Sequence, residues 1–229
     1  MATPNHPRGE RMSKQLDLVK AMFPDIDINC ELDNEGNVIE LDLSWIQLFE
    51  LPKEIGQLTN LQWLNLGYNN LRELPKEIVQ LTNLQKLYIE RNHFSELPKE
   101  IGLLTNLELL IMGNNNLKEL PKQIRLLTRL QCLDLSNNNL QELPKEIGLL
   151  TNLQSLDLRG NSLRELPKEI GQLTNLQWLN LGGNELGELP PEIGLLTNLE
   201  LLIMGNNNLK ELPKEIGLLK HIESGRYRR

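Results

Sequence analysis

The chain has 229 residues, a formal net charge of −7 and 4% aromatic residues. Such an acidic chain lacks the basic patches that give affinity for nucleic acid or anionic membranes, so neither is an expected partner. It has no apolar run of about 18 residues to span a bilayer, and its opening, MATPNHPRGERMSKQ, lacks the apolar stretch of a secretion signal.

Residues 1–37 read as a tail followed by capping elements. Ser13 is placed to cap a helix over SKQLDLVKAMF, which Pro24 stops. INCELDNEGNVIEL has two alternating arms around Asp33-Asn34-Glu35-Gly36, which predicts a hairpin with a four-residue loop. Helix and hairpin together would cover the open first edge of whatever follows.

From 38 to 222 the chain repeats itself. LPKEIGQLTNLQWLNLGYNNLRE (51–73) is followed by LPKEIVQLTNLQKLYIERNHFSE (74–96), and further units begin at Leu97, Leu120, Leu143, Leu166 and Leu189. That makes seven full 23-residue units, an atypical first unit, VIELDLSWIQL (38–48), and a partial one from Leu212. Each contains a form of L-x-x-L-x-L-x-x-N-x-L. The identical 23-residue stretch Glu100–Lys122 returns as Glu192–Lys214. Residues 223–229 form a basic tail, read as a polar cap, a linker or a cloning remnant.

One unit shows how the others work. In LQWLNL, Leu61, Leu64 and Leu66 point inward, while Trp63 and Asn65 point to the opposite face of a strand. Pro52 fixes φ and suits the first position of a helical turn. In the returning LPKEIGQL, Ile55 and Leu58 face the core and Lys53, Glu54 and Gln57 stay wet; the segment suits one helical or 3-10 turn. Strands are narrower than this backing, so the stack should curve into an α/β arc with a concave parallel sheet. Asn69, Asn92, Asn115, Asn138, Asn161, Asn184 and Asn207 recur where the chain leaves the strand. Their amides can satisfy backbone groups of both kinds, so they read as a structural ladder.

Threading the units gives two outward rows. The first is Glu40, Trp63, Lys86, Leu109, Cys132, Ser155, Trp178, Leu201; the second is Asp42, Asn65, Tyr88, Ile111, Asp134, Asp157, Asn180, Ile203. Trp63, Tyr88, Leu109 and Ile111 form one apolar patch, and Trp178, Leu201 and Ile203 a second. Between them lies a polar strip of Asp134, Ser155, Asp157 and Arg159. Contiguous apolar surface with Trp and Tyr marks a binding face. The competing explanation is inheritance, because 166–188 closely matches 51–73 and 189–211 matches 97–119. The second patch is also a candidate homodimer surface.

Catalytic chemistry finds no footing. His6, His93 and His221 are too scattered for a metal site or a nucleophilic triad, and no glycine loop suits a phosphate. Asp134 and Asp157 lack further metal ligands. No cofactor is implied. Cys30 and Cys132 lie far apart, which suits a reducing compartment.

The motif LPxxIGxLTNLxxLxLxxNxLxxLP resembles intracellular leucine-rich repeats of the 23-residue class. Plant Ras-group-related proteins, animal Ras-pathway scaffolds, bacterial proteins and Roc-type GTPases carry such repeats. The resemblance implies an arc with a concave parallel sheet and a non-enzymatic role in binding a protein or peptide, in the cytoplasm. Two alternatives are a regulatory region of a larger GTPase or kinase, and a scaffold with no evolved partner. Ile46 in place of Asn, Arg125, Arg129 and the partial last unit depart from the pattern.

Overall fold

The computed structural model describes residues 13–220; the N-terminal tail and the basic C-terminal tail lie outside them. Helix α1 (Lys14–Met22) starts at Ser13, whose hydroxyl accepts the Leu16 N–H at 3.1 Å and donates to the Gly36 carbonyl. It ends at Phe23, where the N–H returns to the Val19 carbonyl at 3.1 Å and Pro24 prevents continuation. Val19 and Phe23 are buried, and Gln15 accepts the Val38 N–H at 2.7 Å, so the helix is fastened to the hairpin.

The hairpin joins β1 (Asn29–Leu32) to β2 (Val38–Asp42) in antiparallel register. Asp33 builds its turn by accepting the Glu35 and Asn37 N–H groups at 2.8 Å each, and Gly36 supplies the positive φ of +84°. These bonds, the Asn37 side chain first, hold the Asp33 carboxyl below the usual aspartate range.

Seven three-residue strands follow: β3 (Trp63–Asn65), β4 (Lys86–Tyr88), β5 (Leu109–Ile111), β6 (Cys132–Asp134), β7 (Ser155–Asp157), β8 (Trp178–Asn180) and β9 (Leu201–Ile203). All pair in chain order, β2 to β9 in parallel, into one open nine-stranded sheet. Each partner lies 23 residues on, as in Glu40–Trp63–Lys86–Leu109. Leu41 in β2 and the middle leucine of each three-residue strand, Leu64 to Leu202, are fully buried.

Behind the sheet stand eight five-residue 3-10 turns, from Lys53–Gln57 to Lys214–Leu218. The sequence places Pro52 inside the turn; it stands just before it, and its carbonyl accepts the Ile55 N–H at 3.0 Å. Only at the seventh turn does a proline, Pro191, enter the first position. The glycine that follows the isoleucine in most turns has a packing reason. A Cβ on Gly56 would lie 2.7 Å from the Glu77 carbonyl, and one on Gly148 would lie 2.5 Å from that of Glu169. Val79 fills this slot in the second turn, which packs less closely on the third turn than other neighbouring turns do on each other. The turns form the convex side of an arc lined on its concave side by the sheet.

Two asparagine ladders bind unit to unit. In the buried one, the Asn92 carbonyl oxygen accepts the Leu71 N–H at 2.9 Å while its amide donates back to the Leu66 carbonyl at 2.9 Å. Asn115, Asn138, Asn161 and Asn184 repeat this, and Asn207 does so half-buried. In the first unit Ile46 is half-buried against the core, and Asn69 reaches back to serve Leu48 and Leu43. The second ladder is exposed and was not apparent from the repeat pattern. Asn83, Asn106, Asn152, Asn175 and Asn198 each donate to the preceding unit's threonine carbonyl, as Asn152 does to Thr128 at 2.7 Å. Arg129 takes the same slot in its unit, and its guanidinium donates to the Asn106 side chain at 2.7 Å.

Candidate functional site

Strand alternation sends the two predicted rows to the open face of the sheet, in the register that threading gives. Leu110 and Met112 go to the core, and Leu109 and Ile111 turn outward. Most of the outward side chains are half-buried rather than fully exposed, because neighbouring strands are only about 4.8 Å apart and rows shield one another. Trp63 and Tyr88 touch across β3 and β4, with ring centroids 5.6 Å apart and planes tilted by 53°. Tilted pairs of this kind suit the ring quadrupoles. Leu109 and Ile111 continue this patch on β5. Trp178, Leu201 and Ile203 form the second patch on β8 and β9.

The polar strip is less accessible than the sequence implies. Arg159 is exposed, Asp134 and Ser155 are half-buried, and Asp157 is only 9% exposed; Lys86, which lies outside the strip, between Trp63 and Leu109, is exposed. The physical reason is a backbone task. Asp134 accepts the Ser136 N–H at 2.8 Å and Asp157 the Arg159 N–H at 2.9 Å, as Asp42, Asn65 and Asn180 do two residues on. Each closes the end of its strand. Burial pushes the Asp157 carboxyl above the usual range, with neighbouring Asp134 adding to the rise. Burial likewise raises the Cys132 thiol, two residues before Asp134 on β6 and opposite Ser155.

Tyr88 and Ile111 interrupt this series, and Glu90 shows the consequence. Burial raises its carboxyl, its own N–H partly offsets the rise, and Asp134 and Asp42 add to it. One oxygen, Oε2, is buried without a partner. The carboxylate lies over Gly67, where a Cβ would come within 2.8 Å of Oε1. Among the described residues no group of three His, Cys, Asp or Glu is placed to hold a metal ion. No helix there is long and apolar enough to cross a membrane.

Two features escaped the sequence reading. One is a column of left-handed residues just past the strands: Trp45, Tyr68, Arg91, Asn114, Asn137, Gly160, Gly183 and Asn206. Trp45 stacks on Tyr68 at 3.9 Å between centroids, and the Arg91 guanidinium lies 5.2 Å from the Tyr68 ring. The signal was present, since Asn and Gly fill this position in later units. The other is a row of exposed leucines on the 3-10 turns, Leu103, Leu126, Leu149, Leu195 and Leu218, where other units carry Gln57, Gln80 and Gln172.

A family model described as a leucine-rich repeat region matches residues 25–94 and 133–185, and two further leucine-rich repeat models match 82–140 and 175–196. The chain belongs to the leucine-rich repeat family. A leucine-rich repeat protein of Leptospira interrogans is 47% identical, with a TM-score of 0.75 over 80% of this chain and 46% of that one. The ectodomain of the Arabidopsis thaliana membrane receptor kinase GASSHO1/SCHENGEN3, in complex with CASPARIAN STRIP INTEGRITY FACTOR 2, is 30% identical. Its TM-score is 0.78 over 95% of this chain and 27% of that one. The plant peptide hormone receptor RGFR1 in complex with RGF2 is 33% identical, with a TM-score of 0.72 over 86% and 36%. This leucine-rich repeat chain therefore spans less than half the length of each. A search of curated proteins found no match.

Proposed function

We propose that this leucine-rich repeat protein binds a protein or peptide along the concave face of its sheet. The observation that carries the reading is the outward Trp63–Tyr88 pair continued by Leu109 and Ile111. The core needs only the alternate residues of these strands, and aromatic anchors commonly dominate the energy of an interface. Two of the similar structures are complexes with named partners, and one of these is a plant peptide hormone receptor, which supports an interaction role for this chain. The reading extends to a non-enzymatic module in a reducing cytoplasm, where the two unpaired cysteines are at home.

Affinity selection from a displayed peptide library, followed by calorimetry of a selected peptide, tests this. Trp63→Ala with Tyr88→Ala should abolish most of the binding, while Leu103→Ser on the convex side should leave it intact. Equal affinity for parent and aromatic variant would refute the assignment. A second reading, that the same face is the recognition region of a larger signalling protein, rests on the similar chains being longer than this one.

A further inference from the structure

The left-handed column begins at Trp45, so one face of its indole has no column neighbour; the other lies on Tyr68. The fold does not call for an aromatic ring there. What the position contributes is a backbone bond: Trp45 N–H to Gly67 O at 3.2 Å and Tyr68 N–H to Glu90 O at 2.9 Å. Asn114 and Gly160 make the same bond to their next units. Asn and Gly enter the left-handed region at little cost, whereas a bulky side chain is strained in it. Trp45 and Tyr68 thus hold strained conformations where cheaper residues would serve the backbone equally well.

The result is a prominent apolar projection. Trp45 is 69% exposed, and Phe49, four residues on in the same loop, is 75% exposed, more than any other large apolar side chain among the described residues. The stretch of chain that carries it is acidic. Residues 21–52, which include the hairpin and this loop, carry eight Asp or Glu and no Lys, Arg or His. An aromatic face attracts a cation through its ring quadrupole, and the column already uses that attraction, with Arg91 against Tyr68. A cation on the free face of Trp45 would complete the stack at its other end.

We infer that Trp45 and Phe49 form a second docking surface, distinct from the concave face, for a cationic protein segment whose arginine or lysine lies against the indole. Charge complementarity selects this occupant over an anionic membrane or an acidic peptide. Fluorescein-labelled hexa-arginine is the probe, read by fluorescence anisotropy, with hexa-glutamate as control. The parent binds hexa-arginine and not hexa-glutamate. Trp45→Asn with Phe49→Ser keeps the net charge and places at 45 a residue suited to a positive φ, yet weakens binding about fivefold or more. Trp63→Ala matches the parent. Undiminished affinity in the double variant overturns the inference, because attraction would then be diffuse, and so does an equal loss with Trp63→Ala. A parent dimer that the double variant dissolves in sedimentation also overturns it, since the occupant would then be a second copy.

Discussion

Replacing Asn138 by alanine tests what holds the units together. The Asn138 amide donates to the Met112 and Leu135 carbonyls at 3.1 Å each, with a longer contact to Ser136, and its oxygen accepts the Leu117 N–H at 3.0 Å. The losses are unequal. Met112 O keeps a bond from Asn115, and Leu135 O keeps one from Asn161, because neighbouring rungs share carbonyls. The Leu117 N–H loses its acceptor at a buried residue. One orphaned buried donor costs about 1–3 kcal/mol, and the shared carbonyls add little. For a chain of this size that is roughly 2–4 °C of melting temperature per kcal/mol. Asn152→Ala, on the exposed ladder, removes a single solvated bond to Thr128 and should stay within about 0.5 kcal/mol. Urea denaturation of both variants beside the parent measures the contrast. Equal midpoints for Asn138→Ala and the parent would refute the argument, because the Leu117 N–H would then have found water or another acceptor.

Three further outcomes are expected. Leu110→Ala should cost about 2–5 kcal/mol through lost transfer energy and a cavity, whereas Ile111→Ser, one residue away and half-buried, should cost clearly less; equal losses in denaturation would mean the whole LELLIM run is core. Glu90→Gln should raise the midpoint at pH 7, since its carboxyl titrates higher folded than unfolded and the native state is penalised once pH rises through that window. The gain should fade as pH falls below the unfolded value, where both states are protonated, and a gain independent of pH would refute burial as its cause. Trp178→Asp should convert a parent dimer to monomer in sedimentation if the second patch self-associates; a parent dimer unaffected by the change rules that patch out.

The repeat made much of the fold legible before any coordinates. A unit that touches only its neighbours must present the same register throughout, so a 23-residue period and two-residue alternation suffice to pair Trp63 with Lys86 and to separate Leu110 from Leu109. The buried asparagine ladder was legible for the same reason, since one amide per unit stands where the strand ends. What the sequence could not give is depth and sideways contact. Leu103 and Leu104 are adjacent and alike, yet one is exposed and the other fully buried, because the packing of the 3-10 turn decides which side chain it covers. Asp157 reads as a free carboxylate, but the spacing of its neighbouring strands buries it and its own loop occupies it. Trp45, Tyr68 and Arg91 lie 23 residues apart, in loops that the inward pattern ignores. Only stacking of the units, which repeats a left-handed backbone at one height on the arc, brings an indole, a phenol and a guanidinium into a single column.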